Sequence, residues 1–283
     1  MTIFVYFAEF YLFLLDYISS FFFWSMLVLL VILWPFFLFG IRKIQISRRT
    51  FLFSFIASLF LLLYELPIIL TEGNHYLVYS YIPPEELVVN SRIYLLAVNS
   101  VQIKQEEILE EQAFRDLNSG LLIFDIKEVS NFLRYAGKST AIFKWIGLNL
   151  DDDFQQMSVN VKTYLDSTNP SVDEFLSRSN SGGNSAGLAL VLSSLIEQGK
   201  IKNDIPIGVT GAINKSGKVI EIGLIKEKVL SANNIGLPYI ILPIGNLEEG
   251  NEVVKSSNLS IEVIGVRNVD DAIQRIDELN RDK

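Results

Sequence analysis

The sequence contains no cysteine and only one histidine, His75, in 283 residues. The lack of cysteine excludes disulfides, thiolate metal sites and a cysteine nucleophile. A Ser-His-Asp triad would have to be built around His75, which follows a hydrophobic segment and lies far along the chain from any candidate nucleophile. Nucleophilic chemistry in this protein is therefore expected to use a base other than histidine, and we predict neither a metal nor a cofactor.

Basic residues are also fewer than acidic ones. The chain has 24 lysines and arginines against 32 aspartates and glutamates, which gives a formal net charge of −8. This charge falls in residues 73–283, because residues 1–72 are mostly apolar and their four basic residues are balanced by four acidic ones. An acidic domain of this size can bury a sizeable core but is a poor match for nucleic acid, so we expect no nucleic-acid partner.

The apolar N-terminal part predicts a membrane anchor. Residues 21–40 and 51–70 are apolar runs long enough to cross a hydrocarbon layer about 30 Å thick. Four basic residues and no acidic one lie in the loop between them, which by the positive-inside rule is cytoplasmic. Residues 2–20 carry two acidic residues and are interpreted as an interfacial helix rather than a third span. We therefore predict a multi-pass protein of the cell membrane, with the lipid bilayer as a partner and the soluble domain on the extracytoplasmic side.

The rest of the chain predicts an α+β fold in two parts, residues 73–180 and residues 181–283. The first part contains strand-like segments, among them residues 92–101, 141–150 and 158–165. The second part has clearer patterns, which predict in order a helix after Ser185, a hairpin, a helix, a strand, a helix, a strand and a final amphipathic helix. This order indicates a mixed α/β domain.

Ser185 lies in a glycine-rich stretch, Ser181–Gly187, immediately before an apolar helix. Backbone N–H groups at a helix start lack helical partners and favour negative charge, so this position could serve both a nucleophile and an oxyanion. Neighbouring glycines let a substrate approach the backbone closely. On its own, however, a serine in this place is more often a helix N-cap.

A lysine can replace histidine as the base of a serine nucleophile, and Lys228 is the candidate. An ordinary lysine has a pKa near ~10.4, so a neutral amino group requires a decrease of about three units, on the order of 4 kcal/mol. Burial among apolar neighbours could supply it. Lys226, two residues earlier, points to a different side of the same helix, and periodicity does not decide between the two.

From about Gly182 to its C-terminus, the chain resembles the proteolytic domain of Lon proteases, which use a Ser-Lys dyad. The family's Pro-Ser-Ala-Gly signature corresponds to Asn184–Gly187, and its Gly-Gly-Leu-Lys-Glu-Lys segment corresponds to Gly223–Lys228. Thr210–Gly211, Ser216–Val219 and Pro238–Pro243 follow the family order as well. The resemblance implies that Ser185 and Lys228 are catalytic. It implies supporting roles for Gly183, Asn184 and Ala186 beside the serine, and for Thr210 near the lysine.

The chain departs from the family pattern at four positions around these segments. Asn184 replaces a proline, Gly182 an acidic residue, Leu224 a second glycine and Ala212 an acidic residue of the ATP-dependent enzymes. None of these changes removes the nucleophile or the base.

The resemblance also implies a function. No Gly-x-x-x-x-Gly-Lys-Ser/Thr motif occurs in the sequence, so the ATP-driven module of full-length Lon is expected to be absent. Membrane-anchored bacterial Lon-like proteases with a PDZ module have a similar plan, although we expect no PDZ module here. The implied activity is that of a membrane-anchored, ATP-independent serine endopeptidase acting on flexible peptides or on segments of membrane or secreted proteins. The alternative is a catalytically inactive Lon-like domain that serves as a membrane-tethered scaffold. Homo-oligomer formation is compatible with either.

Overall fold

The structure is a computed structural model, and it describes residues 2–40, 48–70, 75–104, 111, 114–115, 118, 122–145, 153–165, 167–178 and 181–281. The chain divides into two compact units. Unit 1 comprises Met1–Leu77, Gln102–Phe114 and Lys127–Leu150, and unit 2 comprises Val78–Val101, Arg115–Ile126 and Asp151–Lys283.

In the described residues, the longer helices of unit 1 are α1 (Thr2–Leu14), α2 (Ser20–Gly40), α3 (Arg48–Leu70) and α4 (Asn131–Trp145). Helix α2 packs against both α1 and α3, and α4 packs against α1 and α3. The buried apolar side chains at these contacts form one cluster of Tyr6, Phe13, Phe23, Leu27 and Ile68. The same helices also expose large apolar side chains, including Phe4, Phe53 and Phe60.

The predicted transmembrane hairpin is wrong. Helices form at both predicted places, but across the described residues none combines the length and the apolar character needed to cross a membrane. Part of the apolar surface that suggested lipid contact is instead used in packing between helices. The fold-class prediction fails in this respect, while the mixed α/β character of the rest is observed. The predicted cell-membrane location, with an extracytoplasmic domain, depended on the hairpin and is wrong with it.

A buried polar cluster lies among the helices of unit 1. The Lys138 Nζ on α4 forms an ion pair with Glu65 on α3, and both side chains are almost fully buried. The Tyr6 hydroxyl donates to Glu65 Oε1 over 2.6 Å, and the Tyr135 hydroxyl donates to the same atom over 3.3 Å. The Lys138 ammonium also lies 3.9 Å from the centre of the Tyr64 ring. Glu65, which lies in the second predicted membrane span, is therefore a core residue with satisfied polar contacts.

The described strands form two sheets and one separate hairpin. The strands are β1 (His75–Tyr81), β2 (Glu85–Glu86), β3 (Ile93–Leu95), β4 (Val98–Lys104), β5 (Ile123–Glu128), β6 (Ile207–Val209), β7 (Ala212–Ile213), β8 (Val219–Ile220), β9 (Tyr239–Pro243) and β10 (Glu262–Val266). One sheet has the order β4-β1-β5, the second has the order β10-β9-β6-β3-β2, and β7 pairs with β8 as a hairpin.

The five-stranded sheet positions the candidate site. Strands β3, β6, β9 and β10 run parallel, and β2 pairs antiparallel with β3. The carboxyl ends of β3 and β6 are adjacent, because Leu95 pairs with Val209. Leu96 and Thr210, the residues after these strands, therefore lie at one edge of the sheet, where open α/β sheets usually bind ligands.

Unit 2 also contains α5 (Asp153–Leu165), α6 (Pro170–Leu176), α7 (Gly187–Glu197), α8 (Ile225–Asn234), a 3₁₀ turn (Ile244–Asn246), α9 (Leu247–Ser256) and α10 (Val269–Arg281). Helix α7 is buried along most of its length and packs against α5, β3 and α10. Helix α8 and α9 pack together over a second core cluster that includes Ile225, Val229 and Val253. The elements predicted after Ser185 are observed in the predicted order.

Upstream of Ser185, two segments predicted as strands are helical where the structure describes them. Residues 158–165, predicted as a strand, belong to helix α5, and residues 141–145 of the predicted strand 141–150 belong to α4. The remaining residues of that segment, 146–150, lie outside the described part of the chain. In α5 the buried residues are Phe154, Met157, Val161 and Leu165, which follow the spacing of one helix face rather than the alternation of a strand.

Candidate active site

Ser185 lies in the turn that leads into α7. The helix begins at Gly187 and its N-cap is Ala186, with no side-chain capping bond, so Ser185 is not the helix-cap serine that its position suggested. The Asn184 carbonyl accepts a hydrogen bond from Gly187 N over 3.3 Å, which closes the turn around Ser185. Gly183 has φ of 75°, a left-handed conformation that favours glycine over other residues.

The backbone of Ser185 is held by the segment that follows β6. Its carbonyl oxygen accepts a hydrogen bond from Gly211 N over 2.8 Å and a longer one from the Thr210 hydroxyl over 3.4 Å. Gly211 O in turn accepts from Leu188 N over 2.9 Å. Thr210, expected near the lysine, therefore supports the backbone of the serine. Gly187 contributes close packing here, since a Cβ atom on it would lie 3.1 Å from the Ile213 side chain.

Lys228 lies in the first turn of α8 and is only 4% exposed. Its Nζ donates to the Gly223 carbonyl oxygen over 3.0 Å. Burial lowers the pKa of Lys228 from 10.5 to about 8, against the opposing effect of the Glu227 and Glu249 carboxylates. Lys226, the competing lysine, is exposed and does not line the cavity described below.

The segment before α8 carries two features that the sequence did not reveal. Leu224, the N-cap of the helix, has φ of 61° and ψ of 40°, a left-handed conformation that is unusual for leucine. The second feature is Asn246, a buried residue that binds both backbone groups of Ile222, two residues before Leu224. Its Oδ1 accepts from Ile222 N over 3.0 Å, and its Nδ2 donates to Ile222 O over 3.1 Å. Asn246 lies in a 3₁₀ turn that no sequence pattern connects to Lys228.

Ser185 and Lys228 line the same cavity in unit 2, with a volume of ≈ 730 Å³. The whole Ser181–Ala186 stretch contributes to its wall, so the predicted Gly183, Asn184 and Ala186 are also present there. Much of the remaining wall is apolar: Ile82, Pro83, Leu95, Leu96, Ala97, Val98, Phe154, Phe175, Ile222 and Leu224. His75 belongs to unit 1 and is not among the lining residues.

The charged groups of the cavity wall, apart from Lys228, are Glu85 and Arg178, and they neutralise each other. Arg178 donates to both Glu85 carboxylate oxygens over 2.7 Å, a bidentate arrangement, and also bonds Glu174 on α6. These carboxylates raise the pKa of the Arg178 guanidinium above its already high value. Arg178 lies just after α6 and seven residues before Ser185, and Glu85 lies in the edge strand β2. The ion pair therefore links the segment that leads to Ser185 with the edge of the five-stranded sheet.

Within the described residues there is no group of three or more histidine, aspartate or glutamate side chains that could hold a metal ion. The cavity offers a hydroxyl, a buried amine with a lowered pKa and an apolar wall.

Comparison with known proteins places this region in a family context. Residues 179–277 match the model of the Lon protease (S16) C-terminal proteolytic domain. The chain is 36% identical over 94 residues to the Lon protease of Clostridium beijerinckii and 31% identical over 94 residues to that of Trichlorobacter lovleyi. It is 38% identical over 96 residues to the peroxisomal Lon protease homolog 2 of Caenorhabditis elegans.

These alignments cover about a third of this chain, 32 to 33%, and only 11 to 12% of the relatives. The matched part contains Ser185, Thr210 and Lys228, whereas Glu85 and Arg178 of the cavity wall lie outside it. The recognition made from the sequence is confirmed: the C-terminal part of this chain is similar to the proteolytic domain of Lon, a family of serine peptidases.

Proposed function

We propose that this protein is an ATP-independent serine endopeptidase in which Ser185 is the nucleophile and Lys228 the general base. The observation that carries the proposal is the burial of Lys228 in the wall of the cavity that also contains Ser185. A pKa of about 8 leaves an appreciable neutral fraction of the amine near neutral pH, which an exposed lysine does not have.

In the proposed reaction, the neutral Lys228 amine accepts the proton of the Ser185 hydroxyl as its oxygen attacks a peptide carbonyl. Lys228 then donates this proton to the leaving amine, which yields an acyl-enzyme. Water, deprotonated by the same lysine, hydrolyses the ester and restores the serine. At the start of α7, Gly187 N and Leu188 N already donate to Asn184 O and Gly211 O, so the proposed donors to the oxyanion are the backbone N–H groups of Ser185 and Ala186, just before the helix.

The proposed substrates are flexible peptides or unfolded segments of proteins. The sequence contains no Walker-type motif, so we propose that the chain hydrolyses peptides without consuming ATP itself. Such an enzyme depends on substrates that enter the cavity in an extended conformation. An apolar wall with one neutralised ion pair suits peptides more than compact folded proteins.

The direct test compares wild type with Ser185→Ala and Lys228→Ala in the cleavage of fluorescently labelled casein without ATP. Both variants are expected to lose activity by about 10³-fold or more, as in other catalytic dyads and triads. Lys226→Ala is the matched control, because it removes an exposed lysine from the same helix, and it should cleave like wild type.

The alternative, an inactive Lon-like domain that binds or scaffolds other proteins, predicts a different result. In that case wild type and both variants would show the same background cleavage. Retained activity in Lys228→Ala together with loss in Lys226→Ala would instead reassign the base.

A further inference from the structure

Leu224 combines a strained backbone with a place in the cavity wall. Its φ of 61° and ψ of 40° lie in the left-handed region, where the Cβ atom of an L-residue crowds the carbonyl oxygen that follows. Glycine would adopt this conformation without that cost. Strained residues of this kind cluster at functional sites, where the surrounding structure enforces them.

The position of Leu224 connects its conformation to Lys228. Its carbonyl oxygen accepts the backbone N–H of Lys228 over 3.1 Å, and the preceding Gly223 carbonyl accepts Lys228 Nζ over 3.0 Å. The left-handed turn at Leu224 thus lies between the two hydrogen bonds that hold Lys228. The side chain of Leu224 remains half-buried and lines the cavity that contains Ser185.

The other lining residues show the chemistry of the cavity to which the Leu224 side chain contributes. Leu96, Ala97 and Ile222 belong to the same wall, and the Glu85 and Arg178 charges are paired with each other. A substrate side chain that enters this part of the cavity would contact aliphatic side chains, and the Glu85 carboxylate is already paired with Arg178. The chemistry favours an apolar side chain over a charged one.

We propose that Leu224 is a specificity-determining residue: its side chain limits the size of the apolar substrate side chain accepted beside Ser185 and Lys228. This inference rests on the proposed peptidase function. It gives a reason for leucine at a position where glycine would remove the strain, since glycine would also leave the cavity open.

Leu224→Ala and Leu224→Gly separate the side chain from the strain. Alanine removes most of the side chain but keeps the Cβ atom that causes the strain, whereas glycine removes both. Arg92→Gly is the matched control, because Arg92 also has a left-handed φ, of 54°, but is exposed and does not line the cavity.

The assay uses Gly/Ser peptides that carry one apolar residue, alanine, leucine or phenylalanine. Cleavage is measured with each enzyme, and binding is measured by calorimetry with each substitution in a Ser185→Ala background. Both Leu224 variants should raise the preference for phenylalanine over alanine about tenfold or more relative to wild type, in cleavage and in binding. Arg92→Gly should keep the wild-type preference. Leu224→Gly should also have a higher thermal midpoint than Leu224→Ala.

An unchanged preference in both Leu224 variants would overturn the inference, as would a failure of the Ser185→Ala variants to bind any peptide. A thermal midpoint of Leu224→Gly at or below that of Leu224→Ala would overturn the strain argument. If wild type cleaves none of the peptides, the proposed function fails, but the binding series still decides whether Leu224 limits side-chain size.

Discussion

A lysine can act as a base only when its amino group loses its proton near the working pH. At Lys228, burial disfavours the charged form, while Glu227 and Glu249 favour it. Burial is the larger effect, and the pKa decreases from 10.5 to about 8. The hydrogen bond to the Gly223 carbonyl orients the amine without a charged partner. The local environment thus favours a base over a structural cation.

This environment predicts the pH dependence of the reaction. Because the neutral form of Lys228 is the active one, kcat/KM for peptide cleavage should rise with pH and level off above an apparent pKa near 8. Steady-state measurements from pH 6 to 10 test this expectation. Lys226→Ala should leave the profile in place. A flat profile across this range would contradict the role of Lys228 as base.

The same shift predicts an effect on stability with a definite sign. Between pH 8 and 10.5 the unfolded chain binds more protons at Lys228 than the folded one, so stability increases with pH in this window. Below pH 8 the buried charge costs on the order of 3 kcal/mol. Lys228→Met should therefore be more stable than wild type at pH 7, with a difference that shrinks as the pH approaches 10.5. Urea unfolding at pH 7 and at pH 10 measures it, and a difference independent of pH would contradict it.

At the scale of elements, the segment of the candidate site before α8 is held by a contact from another part of unit 2. Asn246 follows β9 and bonds both the N–H and the carbonyl of Ile222, one residue before Gly223. The turn that carries Gly223 and Leu224 is therefore tied to the end of the parallel sheet. This connection gives the Lys228 amine a fixed acceptor.

Asn246→Ala should leave two partly buried backbone groups of Ile222 without their partner and so lower the free energy of unfolding by about 1 kcal/mol or more. It should also reduce kcat for peptide cleavage, because the acceptor of Lys228 loses its support. Chemical denaturation and steady-state kinetics provide the two measurements. Asn251→Ala, which changes an exposed asparagine on α9, is the control. Wild-type stability and kcat in Asn246→Ala would show that the contact has no positioning role.

At the scale of the whole molecule, unit 1 has its own buried ionic centre. Burial lowers the pKa of Lys138, and the bond to Glu65 opposes this decrease. Lys138→Met should lower the free energy of unfolding by about 3–5 kcal/mol, because it leaves the Glu65 carboxylate buried without its cation. Adding Glu65→Gln should restore much of the loss, since the amide oxygen can still accept from Tyr6. Hydrogen exchange of α1 and α4 amides measures the effect. Equal exchange in all three proteins would contradict it.

The predictable parts of the fold are those in which each element has its own local signal. From Ser185 onward, the apolar helix α7, the hairpin of β7 and β8 with its Asn214–Gly217 turn, and the amphipathic α10 all follow local patterns, and the structure contains them in order. Helix α5 was not predicted correctly, because its sequence contains β-branched residues, which also suit a strand. The predicted membrane hairpin failed because hydrophobicity alone does not show whether an apolar side chain meets lipid or another helix.

The sequence by itself determined the candidate nucleophile, the candidate lysine and the similarity to the Lon proteolytic domain, since these depend on residue identity and order along the chain. The resemblance pointed to Lys228, but only the tertiary structure showed that Lys228 is buried and Lys226 exposed, because burial is a property of packing and both lysines lie on one helix. Folding also brought Asn246 to Ile222, placed the Thr210 hydroxyl 3.4 Å from the Ser185 carbonyl oxygen, and gave Leu224 its left-handed turn. These features depend on contacts between residues distant in the chain or on backbone geometry, which residue identities do not specify.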